Sequence, residues 1–110
     1  MMKYDRLLPI GSVIRIRGGK DLLMIMGCNQ VNLQTRQLFD YSGVLYPTGY
    51  TDDHHVYIFD HDDIEAVYAV GYLDEESRAF QQEAVMENKK LRTGAMTVDE
   101  LLGTGRSFDR

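Results

Sequence analysis

A chain of 110 residues with 44% hydrophobic and 26% charged positions has room for one core and the composition of a folded domain, which excludes two independent catalytic modules and argues against intrinsic disorder. Its formal charge of −5 is unevenly spread: residues 1–36 carry +4, residues 78–110 carry +1, and residues 37–77, with ten Asp and Glu and no Lys or Arg, carry −10, a distribution that disfavours nucleic acid as a partner. No stretch approaches the roughly 18 apolar residues of a membrane span, and residues 1–12 lack the apolar segment of a signal peptide, so the expectation is a cytoplasmic protein with no membrane insertion.

The first half reads as short strands separated by turns. Residues 13–17 alternate, with Ile14 and Ile16 on one face and Arg15 and Arg17 on the other, the period of a half-buried strand. Gly18, Gly19, Lys20 and Asp21 supply a turn. Residues 22–26 are apolar on both faces and suit the centre of a sheet, with Gly27 marking a bulge or bend at their end. Residues 29–37 are polar and read as a loop with an extended end. A third strand covers 38–46, with Phe39, Tyr41, Gly43 and Leu45 along one side, and Pro47 to Gly49 turn the chain. Residues 56–59 form a fourth strand, residues 60–63 a tight polar turn, and residues 64–72 a fifth strand.

At Asp74 the period changes to that of a helix. Asp74 is a good N-cap, Glu75 and Glu76 suit the positive end of the dipole, and Lys89, Lys90 and Arg92 precede Gly94 at the other end. The helix is expected over 75–92, with Phe80, Ala84 and Leu91 as a narrow apolar stripe that closes one opening of the sheet. Thr97 and Glu100 have capping-box spacing before Gly103, so a short helical turn follows. The fold expected is therefore α+β: a small antiparallel five-stranded barrel or bent sheet followed by one C-terminal helix. Residues 1–92 make the domain and residues 93–110 the tail, whose last seven residues are expected to be mobile.

The chemistry-bearing residues are few. His54, His55 and His61 lie among five aspartates, but neighbours on an extended chain point to opposite sides, and no Cys lies near to complete a zinc pattern. The run 60–63 lacks the spacing and glycine of a calcium loop. Cys28 cannot form an internal disulfide, which fits a reducing compartment, and it reads as a small core residue rather than a nucleophile. The Gly18-Gly19-Lys20 turn joins two strands, whereas a phosphate cradle needs a helix N-terminus. No catalytic, cofactor or metal residues are therefore assigned. The carboxylates Asp52, Asp53, Asp62 and Asp63 are the candidate docking face for a basic partner protein, and Leu101 and Leu102 either pack on the chain's own sheet or anchor in a groove of a partner or a second copy. A homo-oligomer stays open.

Taken in order, Leu7 to Val13, the Gly18-Gly19 turn, Leu23 to Gly27, Asp40 to Pro47, Phe59 to Ile64 and Gly71-Tyr72 resemble a small domain-of-unknown-function family of Gram-positive bacteria, encoded beside LXG-type toxins and type VII secretion genes. The resemblance covers about residues 7–80. Asp60 stands where the family usually has Asn, Cys28 where it has a basic residue, and Thr48 where it has an acidic one. What the resemblance implies is an accessory role near toxin export, as a chaperone or targeting adaptor whose partner is a secreted toxin or a secretion-system component; because the sequence offers aromatic and acidic residues but no convergent catalytic set, a non-enzymatic protein-binding module is expected. The alternatives are a small metal-dependent hydrolase using the His and Asp residues of 52–63, and an immunity protein for a neighbouring toxin.

Overall fold

The computed structural model describes residues 7–103. Five strands, β1 (Val13–Ile16), β2 (Leu22–Asn32), β3 (Gln37–Tyr46), β4 (Val56–Phe59) and β5 (Ile64–Ala69), are followed by helices α1 (Glu75–Thr93) and α2 (Val98–Leu102). The strands form one antiparallel sheet in the order β4-β3-β2-β1-β5. Its two edge strands are consecutive in the chain, joined through a single 3-10 turn, His61–Asp63. A flat sheet would hold its edges about 19 Å apart at the usual strand spacing, yet a five-step link containing a 3-10 turn spans only about 13 Å. The sheet must therefore curl. β4 pairs with β3 and β5 with β1, so of the two architectures expected, the bent sheet is found and the closed barrel is not.

Two element boundaries differ from the sequence reading. β2 does not stop at Met26: it continues to Asn32, and the expected loop shrinks to a turn at residues 33–36. The cause is a bulge between Ile25 and Gly27, where Ile25 faces Gly43 and Gly27 faces Ser42, leaving Met26 as the extra residue. An inserted residue shifts the alternation by one, so Leu23 and Ile25 are buried before it and Cys28 after it. β5 ends at Ala69 rather than at residue 72. Beyond it, Gly71 donates its N–H to Ser12 Oγ at 2.9 Å, and a Cβ there would lie 2.0 Å from the Ile10 carbonyl oxygen. Only glycine permits that approach of two backbones.

The core lies inside the curl and centres on Ile14, Ile25, Tyr41, Phe59 and Ile64, with Leu7, Leu8 and Ala84 closing it. Tyr41 is fully buried, so its hydroxyl needs partners: it accepts from the Leu8 N–H at 2.8 Å and meets His61 Nδ1 at 2.7 Å. Its ring lies 5.6 Å from that of Phe59. α1 starts at the Asp74 cap, where Asp74 accepts from Ser77 N–H at 2.8 Å, and ends at Gly94 with φ +86°. The face that α1 turns to the sheet is not the expected stripe. Phe80 is exposed, Ala84 is buried and Val85 packs against the core; around them Gln81 and Asn88 reach the sheet side by hydrogen bonds. α2 has the expected Thr97–Glu100 capping box. The expected mobility of residues 104–110 concerns positions outside the described residues.

Candidate functional site

The four aspartates named from the sequence sit at the two ends of edge strand β4. Asp52 and Asp53 belong to the 3-10 turn that precedes it, Asp62 and Asp63 to the one that follows, and all four are exposed. Asp52 caps its turn, accepting from His54 N–H at 2.9 Å and meeting His55 Nδ1 at 2.8 Å; the His55 contact holds its carboxyl below the usual range. Asp53 accepts from the Tyr50 hydroxyl at 2.6 Å, which pushes the phenol's pKa up. Asp63 Oδ2 accepts from Asp60 N–H at 2.9 Å, and Arg17 donates to the carbonyls of Asp62 and Asp63. The carboxylates of Asp52, Asp53 and Asp63 thus hold local contacts at the turns, and all four aspartates remain accessible. Between them, β4 carries no charged residue, and its ladder is made with β3.

Asp60, in the same acidic run, has a different place. With Asp40 of β3 it receives Arg92 from the last turn of α1: Arg92 Nη2 lies 2.8 Å from Asp40 Oδ1 and 2.8 Å from Asp60 Oδ1. Asn88, one turn earlier, donates to Asp40 Oδ1 and to Asn29 Oδ1, both at 2.8 Å. Asn29 in turn donates to the Ala84 carbonyl and to Glu87 Oε1, each at 3.0 Å. Burial pushes the Asp40 carboxyl up, but the His61 N–H, Arg92 and Asn88 outweigh it, and the net displacement is below the usual carboxylate range. Arg92 loses some solvation yet is held charged by Asp40 and Asp60. Chemically this is a clamp: it fixes α1 on β2, β3 and the turn after β4.

The histidines do not converge. His54 is exposed, His55 leans on Asp52, and His61 is held against Tyr41. Among the described residues no group of three or more His, Cys, Asp or Glu is placed to hold a metal ion. Cys28 is buried in the core and in no disulfide. Leu101 and Leu102 are split: Leu101 is buried within its own chain and Leu102 remains exposed, so only Leu102 of that pair is available to a partner. Sequence reasoning missed Asn29 and Asn88. The signal that could have found Asn29 is a short polar amide two residues after the glycine that ends an apolar run, because Asn tolerates the left-handed backbone that a break in a strand demands; here its φ is +52°.

Fold and site together define a class: a small α+β domain in which a bent antiparallel sheet is clamped to one helix by two asparagine amides and an arginine shared between two carboxylates, and whose edge strand is bracketed by carboxylates. Residues 7–80 match the domain of unknown function DUF4176, and the chain belongs to that family. No curated protein and no solved structure matches it. The match takes in all five strands and the first turn and a half of α1. Asn88 and Arg92, the helix side of the clamp, lie beyond it. Among the described residues no helix is long and apolar enough to cross a membrane.

Proposed function

We propose that this chain is a non-enzymatic protein-binding accessory, a chaperone or targeting adaptor in the export of LXG-type toxins by type VII secretion, and that it docks through the acidic margin of β4. The observation that supports the docking surface is the placement of Asp52, Asp53, Asp62 and Asp63, exposed at both ends of an edge strand in a segment without Lys or Arg. An edge strand offers backbone groups on its outer side. Carboxylates at both ends add a field that steers a basic partner toward it and accelerates encounter. The export setting comes from the family resemblance, and the geometry supplies only the surface.

The test is association with the LXG toxin encoded nearest to the chain's own gene, followed by surface plasmon resonance. Changing Asp52, Asp53, Asp62 and Asp63 together to Asn keeps the caps and removes four charges. The on-rate is expected to fall by roughly tenfold with the fold intact by circular dichroism, the lower end of the effect of electrostatic steering. An on-rate indifferent both to these changes and to salt would move the interface elsewhere. Protection of cells from the toxin by co-expression would make the chain an immunity protein instead, and stoichiometric zinc or manganese in the purified protein would favour the hydrolase.

A further inference from the structure

A second surface lies on the helix side of the molecule, away from the acidic strand in sequence. Where the β2 bulge faces α1, a cleft of about 390 Å³ opens, lined by Ile10, Met26, Gly27, Gln30, Ser42 and Phe80. A smaller cavity of about 60 Å³ shares Ile10, Cys28 and Phe80 with it and continues beside Leu8 and Pro9. Ile10, Met26 and Phe80 are 48%, 39% and 42% exposed, so three large apolar side chains stand open around one hollow. Its volume is at the lower end of the range for ligand clefts, roughly 300–1,000 Å³, enough for one or two anchoring side chains.

The cleft also contains a polar atom with nothing to bond. Ser42 is 1% exposed, and its Oγ has no hydrogen-bond partner, whereas buried hydroxyls are ordinarily paired. Gly27 leaves that hydroxyl its space: a Cβ there would lie 2.8 Å from Ser42 Oγ. Gly27 is not among the positive-φ residues, so glycine serves space here and not backbone conformation. The rim is acidic. Glu76 and Glu83 are exposed and lie four residues before and three after Phe80 on α1, which places them on its face of the helix. The cleft lining itself holds no charged residue of either sign, so these two glutamates of α1 supply the charge beside it.

We propose that this cleft binds a short basic segment of a partner protein, with a Leu- or Met-like side chain between Ile10, Met26 and Phe80, a polar atom of the segment on Ser42 Oγ, and a flanking Lys or Arg beside Glu76 or Glu83. The proposal does not depend on the β4 surface and survives its failure. The probes are two blocked tetrapeptides, two leucines between lysines and two leucines between glutamates, titrated into the ¹⁵N-labelled full chain. The lysine peptide is expected to shift the amides of Met26, Gly27, Ser42 and Phe80 saturably, and its glutamate twin to bind roughly fivefold more weakly. Ser42→Ala should weaken the lysine peptide roughly 2- to 10-fold, the share of one neutral hydrogen bond. The same change should raise the Tm of the free chain, because it removes a hydroxyl that is buried without a partner. Phe80→Ser, at an exposed position, should abolish the shifts while the fold persists. Shifts confined to residues 52–63, equal affinity for the two peptides, or unchanged binding in either variant would overturn the proposal.

Discussion

Asn29 shows what one residue does in this fold. It sits inside β2 with a left-handed backbone, φ +52°, and is buried, while its amide bonds the Ala84 carbonyl, Glu87 and Asn88 of α1. The left-handed conformation costs a residue with a Cβ about 1–2 kcal/mol unless local hydrogen bonds offset it, and here they come from another element. Two substitutions separate the backbone from the side chain. Asn29→Gly relieves the backbone and loses the bonds; Asn29→Ala loses the bonds and keeps the strain. The Gly variant is expected to be destabilised by about 2 kcal/mol, the order of two net hydrogen bonds, and the Ala variant by about 1 kcal/mol more. Urea unfolding of the two proteins checks this, and equal midpoints would mean that the backbone carries no strain.

At the scale of elements, the junction of α1 with the sheet is held by polar bonds as much as by apolar packing, and this gives it a pH dependence. Asp40 has a depressed pKa in the folded chain and a side chain only 13% exposed. A carboxylate so depressed adds stability that is fully present above its unfolded pKa of about 3.9 and is lost as pH falls through the lower folded value. Asp40→Asn should therefore lower stability at neutral pH by about 1.5–3 kcal/mol, as for bonds to a charged group, and should make thermal melts between pH 7 and pH 3 less steep in pH. Some slope will persist, since Asp52 and Asp74 are depressed as well. A variant with the wild-type pH profile would remove Asp40 from the clamp. The same junction explains what could be read from the sequence. Strands β1, β3 and β4 and the caps at Asp74 and Thr97 follow from period and cap chemistry, which are local. The extension of β2 past Gly27 could not be read, because the extra residue at Met26 inverts the alternation and makes a strand look like an apolar run followed by a polar loop. The docking face of α1 was misread for a related reason: a stripe search counts Phe80 and Leu91, while Gln81, Asn88 and Arg92 find their partners only through tertiary placement. Of the candidate site, the acidic residues were legible as charge, but the separation of Asp60 from its neighbours depended on Arg92, more than thirty residues away.

Across the whole molecule the charge distribution opposes the fold that carries it. Curling the sheet brings the β4 and β5 margins toward each other, so the carboxylates of 52–65 are gathered rather than spread. β1 and the residue after it answer only in part: Arg15 lies 3.0 Å from Glu65 Oε1, and Arg17 bonds the backbone at Asp62. Exposed pairs of this kind contribute about 0–1 kcal/mol and weaken with salt. Repulsion among the acidic residues weakens with salt too, as the Debye length falls from about 30 Å at 0.01 M to 3 Å at 1 M. With −10 on residues 37–77, repulsion outweighs the pairs. Raising NaCl from 0.01 M to 1 M is therefore expected to stabilise the free chain by about 1 kcal/mol, a Tm increase of roughly 4–8 °C for a domain of this size. The fourfold Asn variant at 52, 53, 62 and 63 should start more stable at low salt and gain less from added salt. A Tm that falls with salt in the wild-type chain would mean that ion pairs dominate its surface. A rise that the Asn variant lacks would show these four carboxylates to be a cost to the isolated domain, the condition expected of a surface whose counter-charge is supplied by a partner.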